Sequence, residues 1–480
     1  MSEDRNRAPR VAVIGGGVSG LTAALRLLEG GARVTVFEGT GRLGGKLLAG
    51  EIAGVPVDLG AESMLARRPE AVDLARSVGL GDRLQPPATT TAGVWTRGGL
   101  RPLPKGQMMG VPGDLDALAA SGVLSPEGLA AVARDAELPP TEVGDDVAVG
   151  AYVAERLGHE VVDRLVEPLL GGVYAGDAYR TSMRAAVPKL FEAVRTHRSL
   201  TEAVRSLAAA APQQAGPVFA GLAGGVGTLP PAVARAVRAA GGEIRTGAPV
   251  TALERTEGGW RLGLDGAYEA ADAVVLATPA HDAARLLARV SAPAAAELAE
   301  IDYASMALVT LAFRRADVAG LPAGSGFLVP PRDGRRIKAS TFAGNKWGWI
   351  AEADPDVFVL RTSIGRYEDE GDLRRDDDEL VRMSLEDLGA AVGLAATPLE
   401  SRVTRWDRGL PQYPVGHLAR VARVRGHVAA LPGLRVCGAA YDGVGIPSCV
   451  AGARRAAEEL LAALPAMPTL PEGAGAAGGQ

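Results

Sequence analysis

An α/β fold opening on a parallel sheet is predicted for this chain by three observations. Val11 to Ile14 (VAVI) is a short apolar, mostly β-branched run of the kind buried within a parallel sheet. Gly15, Gly17 and Gly20 follow at once in the G-x-G-x-x-G spacing. Leu21 to Leu28 then repeats apolar residues at helical spacing, and ARVTVFE (Ala32 to Glu38) reads as a second strand ending on a carboxylate. Glycines at such a turn let the backbone approach a pyrophosphate at a helix N-terminus. A carboxylate at the end of the second strand accepts hydrogen bonds from ribose hydroxyls. Strand, glycines, helix, strand and acid in register imply a bound dinucleotide.

The elements that follow can be justified in order. GRLGGK (Gly41 to Lys46) is a second glycine-rich turn, and IAGVPVDLGAES (Ile52 to Ser63) reads as an extended segment ending in small residues. Between Arg101 and Ala211 helical spacing dominates, interrupted at GVYAGDAYRTS (Gly172 to Ser182) by turn-forming residues. A glycine turn at Gly221 to Gly227 precedes another amphipathic helix. Glu243 to Ala280 reads as several strands joined by turns at Gly258-Gly259 and Asp265-Gly266, closing on Ala273 to Ala277. Ile301 to Trp406 is strand-rich with one helix at Asp378 to Leu394, and RRDDDE (Arg374 to Glu379) fits a solvated helix start. Leu434 to Leu464 is a second strand, glycine-loop, helix unit, able to return to the first sheet and present its helix N-terminus to the same ligand. The Pro-, Gly- and Ala-rich residues 467–480 are expected to be a disordered tail.

Composition bounds the function. A chain of 480 residues exceeds one ordinary core, so two or three domains are expected. A net charge of −5 gives no polyanion-binding signature and argues against nucleic acid as a partner. Cys437 and Cys449 are the only cysteines and lack C-x-x-C spacing, which argues against a disulfide framework or thiolate metal site and fits a reducing cytoplasm. The polar first ten residues hold no signal peptide, and no segment is long and apolar enough to span a membrane. Peripheral membrane contact stays open. No Ser-His-Asp or Cys-His constellation is evident, and no catalytic base or metal ligand is assigned.

PLLGGVYAGDAYRTSM (Pro168 to Met183), GGVGTLP (Gly224 to Pro230), RWDRGLPQYPVGH (Arg405 to His417) and GAAYDGVGIPSC (Gly438 to Cys449), together with GRLGGK, resemble the protoporphyrinogen/coproporphyrinogen oxidase family of the flavin amine-oxidase superfamily. The motifs occur in the family's order across nearly the whole chain, most like soluble Gram-positive bacterial members. The resemblance implies a Rossmann-like FAD-binding domain of discontinuous segments (8–66, 216–295 and 426–466). A mixed α+β substrate domain (67–100 and 296–425) and a helical inserted domain (101–215) complete the expected organisation.

The same resemblance implies the FAD contacts. Gly15, Gly16, Gly17, Val18, Ser19 and Gly20 would hold the pyrophosphate, and Glu38, with Gly39 beside it, the adenosine ribose. Arg42, Gly45 and Lys46 would line the flavin side, and Gly60, Ala61, Glu62 and Ser63 would pass the flavin ring. Val250 would meet the adenine through its backbone. Trp406, Ala439, Val444, Gly445 and Ile446 would lie near the flavin, although spacing alone fits Trp406 equally to core packing. Arg67 and Arg68 are candidates for substrate carboxylates, or a solvated pair, and Gly172 and Tyr174 for the pocket wall.

The activity implied is a six-electron, oxygen-dependent oxidation of a porphyrinogen to a porphyrin with release of hydrogen peroxide, in haem biosynthesis. Coproporphyrinogen III is favoured, with protoporphyrinogen IX the alternative and a ferrochelatase the recipient of product. Two rivals are weaker. An amine oxidase would need an aromatic cage, yet aromatic residues are only 4% of the chain. A non-catalytic scaffold handing porphyrin onward would not need every flavin motif.

Overall fold

The computed structural model describes residues 8–210 and 216–464. The expected tail at 467–480 lies outside the described residues. β1 (Arg10–Ile14), α1 (Val18–Glu29) and β2 (Arg33–Phe37) form the predicted opening unit. The helix starts three residues earlier than the apolar pattern alone indicates, because Gly17 serves as its N-cap. β1 is central in a five-stranded sheet, with Val11 paired in parallel to Val34 on one side and to Ala273 on the other. Glu243–Arg245 lies outside β2, and Leu434–Val436 closes the far edge beside Ala273–Leu276. Strands from three distant parts of the chain therefore share one sheet.

α1 and α2 (Ile446–Ala463) pack side by side on this sheet. Leu21, Leu27, Val450, Ala453 and Leu460 bury one continuous core with Val11, Val13 and Val36. Small residues permit the approach: a Cβ at Gly30 would run into the Leu461 side chain.

A second, seven-stranded sheet carries the long strands Tyr303–Arg314, Val357–Ile364 and Glu400–Pro411. Gly93–Thr96 and Gly99–Pro102 join its opposite edge. One face is filled by Val309, Leu311, Leu360 and Leu380, the last from the helix Asp377–Val392 that the sequence placed at 378–394. The other face carries Leu328, Ala339 and Arg361. It turns toward the segment after Asp58, since Arg361 Nη1 donates to Gly60 O at 2.9 Å.

The helical stretch 115–209 is tied by a buried ion pair: Arg156 Nε donates to Asp135 Oδ1 at 2.7 Å, and Ser199 Oγ and the Thr201 amide donate to Asp135 Oδ2. Gly172 to Tyr174, expected to interrupt the helices, instead forms the last turn of the helix Glu167–Tyr174. The chain leaves that helix only at Ala175, which takes the left-handed conformation (φ 49°).

Candidate active site

The glycine turn after β1 is a cradle that side chains would destroy. Gly15 has φ +111°, and a Cβ there would sit 2.6 Å from Ala277 O. A Cβ at Gly20 would land on Gly15 O. Gly17 is different: its nearest neighbour would be Gly45 Cα at 3.8 Å, so open space lies between the two glycine turns. The start of α1 has neither a side-chain cap nor an acid in its first turn, leaving its amides directed at that space.

Glu38 occupies the end of β2 as expected, half-buried, but its oxygens already hold the turn. Oε2 accepts from the Gly16 amide at 2.7 Å, and Oε1 accepts from the Thr40 amide and hydroxyl, both at 2.8 Å. Both lone pairs of Oε1 are thereby engaged, while Oε2 keeps one for a ribose hydroxyl. Gly39 packs against Pro249, and Ala248 N donates to Glu38 O at 2.9 Å, which sets the buried Val250 beside this end of the cradle.

At the other end, GRLGGK lies along the segment after Asp58. Ala61 N donates to Lys46 O at 3.3 Å, and Trp406 Nε1 donates to Leu59 O at 3.0 Å. A Cβ at Gly60 would meet Lys46 O and, at 3.0 Å, the Trp406 ring. Arg42 donates to Gly45 O at 2.9 Å, with its guanidinium 5.5 Å from the centre of the Trp406 ring, and Lys46 Nζ lies 6.0 Å from the same centre. The structure thus brings Arg42, Gly45, Lys46, Gly60, Ala61 and Trp406 together.

The C-terminal unit arrives at the same place. A Cβ on Gly438 would lie 3.9 Å from Ser19 Oγ in the first turn of α1. Asp442 fixes this loop: its carboxylate takes the Gly438 amide at 3.1 Å and the guanidinium groups of Arg425 and Arg455. α2 begins at Ile446 behind the cap Gly445, again with no side-chain cap and no acid in its first turn. Gly438 and Ser19 therefore lie together at one crevice, beside two helix starts that lack side-chain caps. Burial raises the Cys449 thiol to about 11 and raises that of Cys437 further, so both are inert packing groups.

Glu62 also carries a structural ion pair. Its carboxylate is turned into the protein, taking Arg361 Nη2 at 2.9 Å and Lys346 Nζ. Burial works to raise its pKa, but Arg361 and then Lys346 outweigh it and hold the carboxyl at about 2. Glu62 thus ties the segment after Asp58 to the seven-stranded sheet, while Ser63 beside it is half-buried. Asp58 does similar work, accepting from the Val226 and Gly227 amides at 2.9 and 2.8 Å. Burial, opposed by those amides, raises its carboxyl to about 7.

The expected substrate residues separate. Arg68 reaches the first turn of α2, donating to Ser448 Oγ at 2.9 Å and pairing with Glu70 at 2.7 Å. Arg67 points instead into a groove of about 860 Å³ outside the crevice. Tyr174 packs edge-on to Tyr413, with ring centres 5.6 Å apart, and Tyr413 Oη donates to Ala439 O. That contact links the wall to the C-terminal loop. Burial pushes the Tyr174 phenol up to about 12, so it stays neutral. Gly172 faces Leu328, from which a Cβ would stand 3.7 Å away.

Sequence reading missed Lys346, Arg361 and Tyr413, and also Lys338. The Lys338 ammonium is buried (5% exposed) without a hydrogen-bond partner, and burial, aided by Arg366, lowers its pKa to about 7. The rarity of lysine in this chain, confined to positions 46, 105, 189, 338 and 346, was the one signal available for Lys338 and Lys346.

Residues 18–461 match a family described as flavin containing amine oxidoreductase. The coproporphyrinogen III oxidase of Mycobacterium bovis is 39% identical over 460 residues, covering 95% of this chain and 98% of that protein. The coproporphyrinogen III oxidase of Bacillus subtilis is 31% identical over 467 residues, covering 94% and 97%. Among solved structures, a candidate protoporphyrinogen oxidase from Exiguobacterium sp. 255-15 superposes with a TM-score of 0.85 at 33% identity, covering 95% of this chain and 99% of the other.

Proposed function

We propose, from the premise that this chain belongs to the flavin containing amine oxidoreductase family and groups there with coproporphyrinogen III oxidases, that it oxidises coproporphyrinogen III to coproporphyrin III. The observation that carries this reading is the similarity to a coproporphyrinogen III oxidase over 95% of the chain, loops of the crevice included. FAD is the cofactor, and the residues present fit it: a glycine cradle open at Gly17, two uncapped helix starts, a carboxylate at the ribose position and an indole at the far end. When bound, FAD supplies a two-electron acceptor that dioxygen regenerates as hydrogen peroxide, so one porphyrinogen consumes three dioxygen molecules in losing six electrons and six protons.

The work of the chain's own residues is placement. Gly15 to Gly20 and the amides of α1 hold the pyrophosphate, Glu38 the ribose, and the Val250 backbone the adenine. Arg42, Gly45, Lys46, Gly60, Ala61 and Trp406 line the flavin end, with Ala439, Val444, Gly445 and Ile446 closing it from the C-terminal loop. Glu62 supports this end from behind, through Lys346 and Arg361. Arg68 offers a cation to a substrate carboxylate at the crevice, and Gly172 and Tyr174 form an apolar wall whose neutral phenol suits a flat macrocycle. Aromatisation favours loss of the pyrrole proton, so no dedicated base is assigned.

On this reading, 8–66, 216–295 and 426–466 form the FAD-binding unit, 67–100 and 296–425 the substrate unit, and 101–215 the helical insert. The enzyme acts in the cytoplasm and passes its product to a ferrochelatase. No helix of the described residues is long and apolar enough to cross a membrane.

The test is turnover by the FAD-loaded protein. Coproporphyrinogen III should yield porphyrin fluorescence with three dioxygen taken up per porphyrin, and faster than protoporphyrinogen IX. A faster reaction with protoporphyrinogen IX would reverse the substrate assignment. No porphyrin from either, alongside flavin reduction by an amine, would refute the reading.

A further inference from the structure

Arg67, one residue from the crevice-facing Arg68, opens onto a separate groove of about 860 Å³. The groove is built where the helical insert meets the first sheet's flank. The helix Pro69–Ser77 supplies Val72 and Arg76, and the helix Leu200–Ala209 supplies Leu207. Lys189 comes from the helix Pro188–Val194, and Leu84, Met108 and Ala220 complete the apolar lining. Leu65 and Phe219, paired directly across a strand ladder beside it, are 39% and 41% exposed.

The charge of this groove is one-sided. Arg67, Arg76 and Lys189 are its only ionisable lining residues among those described, although the chain carries a net charge of −5. Arg76 touches only the exposed Asp73, at 3.3 Å, a weak and solvent-screened pair. An apolar concavity with cations and no carboxylates is complementary to a flat apolar ligand edged with several carboxylates. Its volume falls within the range of about 300–1,000 Å³ usual for small-molecule sites. A membrane surface would call for a convex apolar face rather than a concavity.

We propose that this groove is a second tetrapyrrole site. It holds a carboxylated porphyrin outside the flavin crevice, with the macrocycle against Val72, Leu84, Met108 and Leu207 and its carboxylates on Arg67, Arg76 and Lys189. The proposal rests on the porphyrinogen reading above. The groove adjoins the crevice through Ala66 to Arg68, and so serves as a holding place for product leaving the flavin.

Equilibrium binding of coproporphyrin III to the FAD-loaded enzyme, followed by fluorescence, tests this. Two molecules should bind per chain. The surface double variant Arg76→Glu/Lys189→Glu should lose one of them, with at least a tenfold fall in affinity for that site, while its flavin spectrum and kcat for coproporphyrinogen III stay unchanged. Leu207→Glu should have the same effect by removing the apolar contact. A single bound porphyrin in the wild type, or two that both survive charge reversal, would overturn the proposal. So would binding of phosphatidylglycerol vesicles that is lost in the double variant while both porphyrins remain. Failure of the parent reading is separate: it shows as absent turnover in the wild type, whatever the stoichiometry of porphyrin bound.

Discussion

Glu38 accepts a hydrogen bond from the Gly16 amide at 2.7 Å, so the carboxylate that closes β2 also shapes the glycine turn that follows β1. The same side chain holds the Thr40 amide at 2.8 Å. Ribose recognition and the cradle's shape therefore share one residue. Glu38→Ala should weaken FAD binding by about 1–3 kcal/mol through the loss of charge-assisted hydrogen bonds. Glu38→Gln, which keeps acceptor oxygen but no charge, should lie between wild type and alanine. Titration of the apoprotein with FAD checks both, and unchanged affinity in Glu38→Ala would remove the carboxylate from the site.

Gly20 has no room for a methyl group, because its Cβ would land on the Gly15 carbonyl oxygen. Gly41, in the next glycine-rich motif, has nothing within 4 Å of the same position. Gly20→Ala should force β1 and α1 apart at a cost of about 3 kcal/mol or more and purify with little flavin. Gly41→Ala should keep wild-type flavin content. Absorbance at the flavin maximum per mole of protein is the measurement. Equal content in the two variants would show that the turn tolerates a displacement the geometry forbids.

These two positions show what could be read in advance. The turn, β1, α1 and β2 were legible because their signals are local: glycines at fixed spacing, a β-branched run and a helical repeat within thirty residues. The return of Leu434–Val436 to the same sheet was legible for the same reason, as a second strand, loop and helix. The ion pairs of Glu62 were not legible because its partners leave no local trace. Lys346 lies 284 residues away, and an ion pair at that separation has no periodicity to betray it. Gly172 to Tyr174 read as a break because glycines punctuate helices on average, whereas here burial of Leu170 and the contact of Tyr174 with Tyr413 carry the helix through. The splitting of Arg67 from Arg68 likewise follows from a distant partner, since Arg68 alone meets Ser448 in the first turn of α2.

Glu62 pairs with Lys346 and Arg361 in a site 12% exposed at the carboxylate, so removing its charge leaves two buried cations facing each other. Glu62→Gln should destabilise the protein by about 3–5 kcal/mol at pH 7. The pH dependence has a definite sign. The folded carboxyl titrates at about 2, below its ordinary 4.5, so its contribution is present above pH 4.5 and is lost as pH falls toward 2. Urea denaturation should therefore separate wild type from Glu62→Gln fully at pH 7 and progressively less below pH 4. A gap independent of pH would mean that packing, not charge, explains the loss. Adding Lys346→Met to Glu62→Gln should recover part of the stability.

Lys338 presents the opposite case, a buried ammonium with no partner for its charge. Its strand, Ile337–Thr341, lies inside the seven-stranded sheet, and the neighbouring Arg366 adds repulsion while Glu370 offers only partial compensation. Burial lowers the folded pKa from 10.5 to about 7, so between those values the unfolded chain binds the proton that the folded chain releases. Stability gained from this group must then rise with pH across that window and level off above 10.5. At pH 7 the group costs the fold on the order of 4 kcal/mol relative to its fully deprotonated state. Lys338→Met, similar in length and free of charge, should accordingly raise the urea midpoint at pH 7. Its advantage should shrink steadily toward pH 10, because folded Lys338 is then neutral and the unfolded lysine nears its own pKa of 10.5. Lys338→Arg, which cannot shed its proton, should be less stable than wild type at both pH values. A Lys338→Met variant that is less stable than wild type at pH 7 would show that the ammonium has a partner within the fold that outweighs its burial.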